Sequence, residues 1–183
     1  MNFHDIGKSS PYTTHLEGVV IDRDLFRNKI EKLTSQYDVV PFSKLIENPF
    51  NPRLAAVTFD DGYRGVLTEA LKVMEEYRCP FKVFLNEDQV NGQISWINKL
   101  SFLFSNKNQA EVLELARAFM PNHQTMHPGK IQEYRRFFEF PHTIEAIERE
   151  FSKMSEPVPQ DLFLNVRDVR SLIDHPQPTA KDI

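Results

Sequence analysis

An α/β fold is predicted by three observations. The run Ala55-Ala56-Val57-Thr58-Phe59 ends abruptly in Asp60-Asp61-Gly62-Tyr63. A strand that buries Val57 and Phe59 cannot also bury two charges without partners, so the carboxylates belong at its C-terminal end, where α/β folds keep their active sites. Helical spacing follows: Val66, Leu67, Ala70, Leu71 and Met74 share one face until Cys79-Pro80 ends it, and Phe81-Lys82-Val83-Phe84-Leu85 makes a second strand. Strand, carboxylate turn, helix and strand within residues 54–85 have the order and length of a βαβ unit, which implies parallel strands. The composition agrees: 183 residues, 40% hydrophobic and 26% charged, with 15 Phe, suit a globular domain with a sizeable core.

The remaining elements follow in chain order. Residues 2–6 read as a short strand and residues 9–14 as loop. Asp22 or Asp24 can cap a helix running to about Tyr37, with Phe26, Ile30 and Leu33 on one face. Val39-Val40 is a short strand, Ser43 through Ile46 a short helix, and Asn48-Pro49 with Asn51-Pro52 bracket a turn. Residues 54–59 form the strand already described. From Ser95 to Met154 the chain reads as helical. Val112, Leu115, Ala116 and Phe119 repeat at helical spacing, as do Ile131, Tyr134 and Phe138, and then Ile144, Ile147 and Phe151. Several amphipathic helices without an intervening strand suggest an insertion beside a sheet, over residues 95–157, within a single domain spanning residues 1–183. Residues 155–159 read as linker. Leu162-Phe163-Leu164 is extended, and Asn165 with Asp168 forms a reciprocal cap opening a last helix. Residues 174–178 are loop.

Charge and cysteine content narrow the function classes. The net charge of −4 is spread through the chain, and no basic stripe argues for nucleic acid. The single cysteine, Cys79, cannot form an internal disulfide, so nothing requires an oxidising compartment. The opening MNFHDIGKSS has neither a basic region nor a long apolar one, so no signal peptide is visible and the chain as it stands is expected to stay in the cytoplasm. No stretch approaches the ~20 apolar residues of a membrane span. A magnesium phosphotransfer site built on the carboxylate pair would want a glycine-rich phosphate loop with a following lysine, and neither is present.

Thr58-Phe59-Asp60-Asp61-Gly62-Tyr63 resembles the first signature of the polysaccharide deacetylases, the NodB-homology or carbohydrate esterase family 4 group. The likeness extends to the flanks. Phe3-His4-Asp5-Ile6 is similar to the family's opening strand, and Leu25 to Ile46 to its lead-in. Cys79 to Leu85 resembles its second strand, while Ile94-Ser95-Trp96 and Phe163–Leu172 resemble the flanks of a helical insertion in one branch. The resemblance covers most of residues 2–175. It implies a partial (β/α) barrel with a helical insertion, and a metal-dependent hydrolase that removes acetyl groups from N-acetylated sugars of a polysaccharide or oligosaccharide. On the matched positions, Asp60 is the general base and Asp61 a ligand of a divalent metal, commonly zinc. His4 falls near the substrate pocket, and a backbone N–H near Tyr63 helps hold the oxyanion.

The chemistry wants these residue types. Amide hydrolysis needs a nucleophilic water, a polarised carbonyl and a proton shuttle, and a metal held by one carboxylate and two imidazoles lowers the pKa of a bound water toward ~7. Adjacent strand residues point opposite ways, so Asp60 and Asp61 sit just past the strand, where Gly62 permits a turn. Read without the flanks, the pair also suits a helix N-terminus, where acidic side chains are favoured with no catalysis at all.

The family's second signature, His-Ser/Thr-x-x-His, would follow a third strand after a helix like Val166–Ile173, but the chain reads Asp174-His175-Pro176 there. The later signatures are not found either. The C-terminal half of the barrel is therefore expected to be missing. The alternative function is a truncated, non-catalytic remnant lacking the histidine ligands. An open parallel sheet would leave edges for self-association. His123-Gln124-Thr125-Met126-His127-Pro128 offers two histidines at i, i+4 that could serve one metal, but Gln124 stands where the signature has Ser/Thr and the segment follows a helix, which favours a solvated loop with two surface histidines. His4 could be structural, and Trp96 could stack on a sugar or pack in a core. His15, His142 and His175 have no partner pattern.

Overall fold

The computed structural model describes residues 1–107, 141–154 and 161–175, with positions 111, 114 and 159. The chain divides into two compact units. One comprises Met1–Lys8, Ile21–Gln93 and Pro159–Ile183, and the other Ser9–Val20 and Ile94–Val158. Among the described residues no helix is long and apolar enough to cross a membrane.

The parallel ladders found among the described residues all lie in the first unit. Helix α1 (Arg23–Gln36) starts where Asp22 caps the backbone N–H groups of Asp24 and Leu25. It buries Phe26, Ile30 and Leu33, the face its spacing predicts. Burying side chains of this size is worth about 1.5–3 kcal/mol each. Strand β1 (Asn2–Phe3) and β2 (Asp5–Ile6) divide the expected opening strand in two; β2 pairs with β3 (Val20–Ile21).

The expected strand over 54–59 is likewise two. Strand β5 (Leu54–Ala55) pairs in parallel with β4 (Asp38–Val39), whereas β6 (Val57–Phe59) lies between β1 and β7 (Phe81–Val83) in a parallel sheet of order β1-β6-β7. The chain changes partners at Ala56, whose carbonyl accepts from the Met1 amine at 2.6 Å. Helix α2 (Phe42–Glu47) connects β4 to β5. The βαβ unit is confirmed, with β6 and β7 parallel and paired Val57 to Phe81 and Phe59 to Val83. Beneath the sheet, edge-on or tilted rings link Phe3 to Phe26 at 4.9 Å, Phe3 to Phe59 at 5.9 Å and Phe59 to Phe81 at 5.6 Å. The described strands form small open sheets, and none closes into a barrel.

The helix between β6 and β7 opens with a wide turn over Val66–Ala70, where the Leu71 N–H reaches back five residues to the Val66 carbonyl, before α3 (Leu71–Glu76). Val66, Ala70, Leu71, Val73 and Met74 are buried. Cys79 is also buried, 1% exposed, and burial pushes its thiol up to about 12. Gly65, just before the wide turn, meets β2 at very short range. A Cβ there would stand 2.1 Å from Asp5 Oδ1 and 2.2 Å from the Ile6 carbonyl oxygen. A short helix, α4 (Glu87–Val90), follows an Asn86 cap that the sequence reading does not include.

The second unit combines the turns of residues 11–19 with helices. Helix α5 (Trp96–Asn106) packs on α6 (Pro141–Ser152), with Leu100, Leu103 and Phe104 around Ile147 and Leu16. Ile147 is fully buried, with Ile144 and Phe151 half-buried on the same face, as their spacing predicts. Buried Asn98 donates to the Tyr12 carbonyl at 3.0 Å. Trp96 packs against this apolar cluster, which favours its core role. The repeats at 112–119 and 131–138 lie outside the described residues, as do the linker at 155–158 and the end of the terminal loop from residue 176.

Back in the first unit, Phe163 bridges antiparallel to Tyr63, and α7 (Val166–Ile173) follows. Its reciprocal cap is present: the Asp168 N–H donates to Asn165 Oδ1 at 3.0 Å, and the Asn165 N–H to Asp168 Oδ2 at 3.2 Å. Two stability outcomes follow from these contacts. Gly65→Ala is expected to cost about 3 kcal/mol in urea unfolding, since the Ile6 backbone stands in the way alongside the Asp5 carboxylate. Asn165→Ala is expected to cost about 1 kcal/mol in the same measurement, as for other lost caps.

Candidate active site at the end of the parallel sheet

The C-terminal ends of β1 and β6 bring five polar side chains together, those of Asn2, His4, Thr58, Asp60 and Asp61. Strand β6 stops at Phe59, and the ladder carries on for one bond either side: the Asp60 N–H donates to the Phe3 carbonyl at 2.9 Å, and the Phe84 N–H to the Phe59 carbonyl at 2.7 Å. Asp60 and Asp61 thus stand just past the strand. The turn is made by two consecutive residues in the left-handed region, Asp61 at φ 66° and Gly62 at φ 68°. Aspartate is among the few non-glycine residues that visit this region, at about 1–2 kcal/mol. A Cβ on Gly62 would meet Leu85 Cδ2 at 2.9 Å, the end of an exposed side chain that can move aside, so the positive φ is what calls for glycine there.

Each carboxylate meets a side chain from the β1 segment. Asn2 Nδ2 donates to Asp60 Oδ2 at 2.6 Å, and Thr58 Oγ1 donates to Asn2 Oδ1 at 2.7 Å. His4 Nδ1 lies 3.0 Å from Asp61 Oδ2, with both side chains about a third to two-fifths exposed. His4 therefore sits in the candidate site as the sequence suggests, touching Asp61. Asn2 and Asp5 are site neighbours that the sequence reading does not single out. Asp5 stands beside His4 in the quoted His-Asp pair, whereas nothing local marks Asn2.

Tyr63 is placed differently from a side chain that contacts substrate. Its ring is 2% exposed and packs 4.8 Å from the Phe163 ring. The backbone on both sides of it is tied down, the Leu164 N–H to the Gly62 carbonyl at 2.8 Å and the Arg64 N–H to the Leu162 carbonyl at 3.0 Å. Its ring is a core element, so its candidacy in the site rests on its backbone N–H. His123 and His127 lie outside the described residues. His175 Nε2 pairs with Glu75 at 3.1 Å, and burial lowers the pKa of His15.

A family profile described as polysaccharide deacetylase matches residues 47–157, more than half of the chain and inclusive of the carboxylate pair. The chain belongs to the polysaccharide deacetylase family. Members act on acetylated polysaccharides and are generally metal-dependent. No curated protein and no solved structure gives a significant match. The mixed helix and strand architecture is consistent with a domain of this family. The donor set is a separate matter. A catalytic zinc takes three protein ligands and an open position, yet among the described residues no three His, Cys, Asp or Glu side chains converge. Asp61 and His4 are two donors, and these residues alone do not complete a metal site.

Asp5 underpins this end of the sheet. Its Oδ1 accepts from the Ile6 N–H at 2.9 Å and the Gly65 N–H at 3.1 Å, tying the β1–β2 segment to the stretch after the carboxylate turn. Burial outweighs those two bonds and raises its pKa from 3.8 to about 6. The folded protein then holds the proton more tightly than the unfolded chain. The contribution of Asp5 to stability is greatest below about pH 4, is lost as the pH climbs to about 6, and is flat above that. Asparagine keeps the accepting oxygen without the charge. Thermal melts of Asp5→Asn and the parent across this range are expected to diverge progressively, the variant becoming relatively more stable as the pH rises. Parallel curves would refute a buried, titrating Asp5.

Proposed function

We propose that the chain is a deacetylase-like hydrolase that removes acetyl groups from N-acetylated sugars of a polysaccharide or oligosaccharide, with Asp60 as general base and Asp61 at the family's metal position. One observation carries this reading. The carboxylate pair stands at the C-terminal end of a parallel strand, and Asp61 is held in a backbone conformation that costs energy in a non-glycine residue. Such outliers concentrate where function requires them. A helix N-terminus that merely favours acidic residues has no need of that conformation.

In the proposed reaction a water attacks the acetyl carbonyl. The new O–C bond forms as Asp60 takes the water's proton, the amide C–N bond breaks, and the proton passes to the departing amine nitrogen. Acetate and a free amino sugar result. Asp60 and Asp61 are partly exposed, and the Tyr63 N–H is the proposed oxyanion donor. Zinc is the proposed divalent ion. His123 and His127 remain the sequence's own candidates for further donors. A specific observation supports the second reading, a family member without catalysis: His4 occupies one oxygen of Asp61, and no third donor joins them among the described residues. The sheet's outer strands, β1 and β7, are the edges through which self-association would proceed.

Calorimetry and an acetate-release assay on an N-acetylated chito-oligosaccharide separate these readings. Zinc is expected to bind the parent and to lose at least about tenfold in affinity in Asp61→Ala. Asp60→Asn is expected to lower kcat by about 10²-fold or more. A parent that neither takes up zinc nor releases acetate would leave the non-catalytic reading standing.

A further inference from the structure

The side chains of Asn2, Thr58 and Asp60 form one connected line on the solvent face of the sheet. The register pairs Asn2 with Thr58 and Phe3 with Phe59, so Asn2 stands opposite Thr58 and beside Asp60, two residues further along the same face of the β6 segment. Its backbone is held on both sides, the Thr58 N–H bonding the Met1 carbonyl at 3.0 Å and the Asp60 N–H the Phe3 carbonyl at 2.9 Å. From that anchored position the carboxamide bridges the i and i+2 residues of the neighbouring chain. It accepts from Thr58 Oγ1 at 2.7 Å and donates to Asp60 Oδ2 at 2.6 Å.

We propose that Asn2, oriented by Thr58, is a positioning residue for Asp60, which rests on the reading of Asp60 as the base. The chemistry selects the residue type. An ionised carboxylate only accepts, so the partner beside it has to donate, and the hydroxyl of Thr58 finds an acceptor only if the same side chain also offers an oxygen. A carboxamide does both at once. Aspartate at position 2 would set a second negative charge against Asp60, and alanine would release the carboxylate to rotate. The bond occupies one carboxylate oxygen and sets the plane of the group, which directs the other oxygen at the water whose proton it takes. A base so held needs less reorganisation at the moment of attack.

Steady-state kinetics on the N-acetylated oligosaccharide tests this, together with side-chain amide NMR of Asn2. Asn2→Ala is expected to lower kcat roughly tenfold with KM unchanged, since the lost interaction orients the base rather than the substrate. Asn2→Asp is expected to fall further. Thr58→Val is expected to lose about threefold, and Thr58→Ser, which restores the hydroxyl, to recover the rate. Equal kcat in Asn2→Ala and the parent would overturn the proposal, as would a loss in Thr58→Val that serine does not rescue. The NMR arm needs no activity: Asp60→Ala is expected to shift the Asn2 amide resonances, and unshifted resonances in a folded variant would overturn the relay. If the amide responds but the parent releases no acetate, the relay stands and the deacetylase reading falls.

Discussion

The parallel ladder between Asn2–Phe3 and Val57–Phe59 joins segments 56 residues apart and sets the position of every polar group in the candidate site. On one face it places Phe3 and Phe59 against Phe26, a ring cluster that belongs wholly to the interior. On the other face the same pairing lays Asn2 beside Thr58 and Asp60. Because side chains alternate along a strand, a slip of one residue would turn Phe3 outward and carry Asn2 into the core. The aromatic cluster is therefore what holds the polar line in register, from the opposite face of the sheet. Core packing and site geometry are two sides of one constraint.

The turn after β6 adds a second constraint of a different kind. Two successive left-handed residues reverse the chain tightly enough to send Tyr63 inward against Phe163 while Asp61 faces His4. Gly62 is fixed by its positive φ, and Gly65 by the close approach of Asp5 and the Ile6 backbone. Asp5, which accepts from both Ile6 and Gly65, closes the structure from below. The energetic cost of Asp61 is carried by this surrounding framework.

Much of this was legible in the chain. The helix of Phe26, Ile30 and Leu33, the parallel βαβ unit and the reciprocal cap of Asn165 and Asp168 depend on local spacing, and local spacing predicts them. The splitting of residues 54–59 was not legible, because the break at Ala56 comes from a change of partner strand and not from any local signal. The wide turn at Val66–Ala70 gives nearly the same buried face as a regular helix, so periodicity cannot tell them apart. In the site, the carboxylates stood out as charges at the end of an apolar run. Tyr63 belongs to the motif by sequence, yet its ring serves the core. Asn2 carries no local signal, because its meaning lies in register with a strand far along the sequence.

Cys79 makes the interior of the first unit observable. With its sulfur enclosed and its thiol held near 12, it carries almost no thiolate at neutral pH and stays out of reach of alkylating reagents while the core is closed. As the chain's one sulfhydryl, it is a built-in clock. The rate at which a maleimide captures it counts openings of the sheet-and-helix core, and those openings are what would let the strand register loosen.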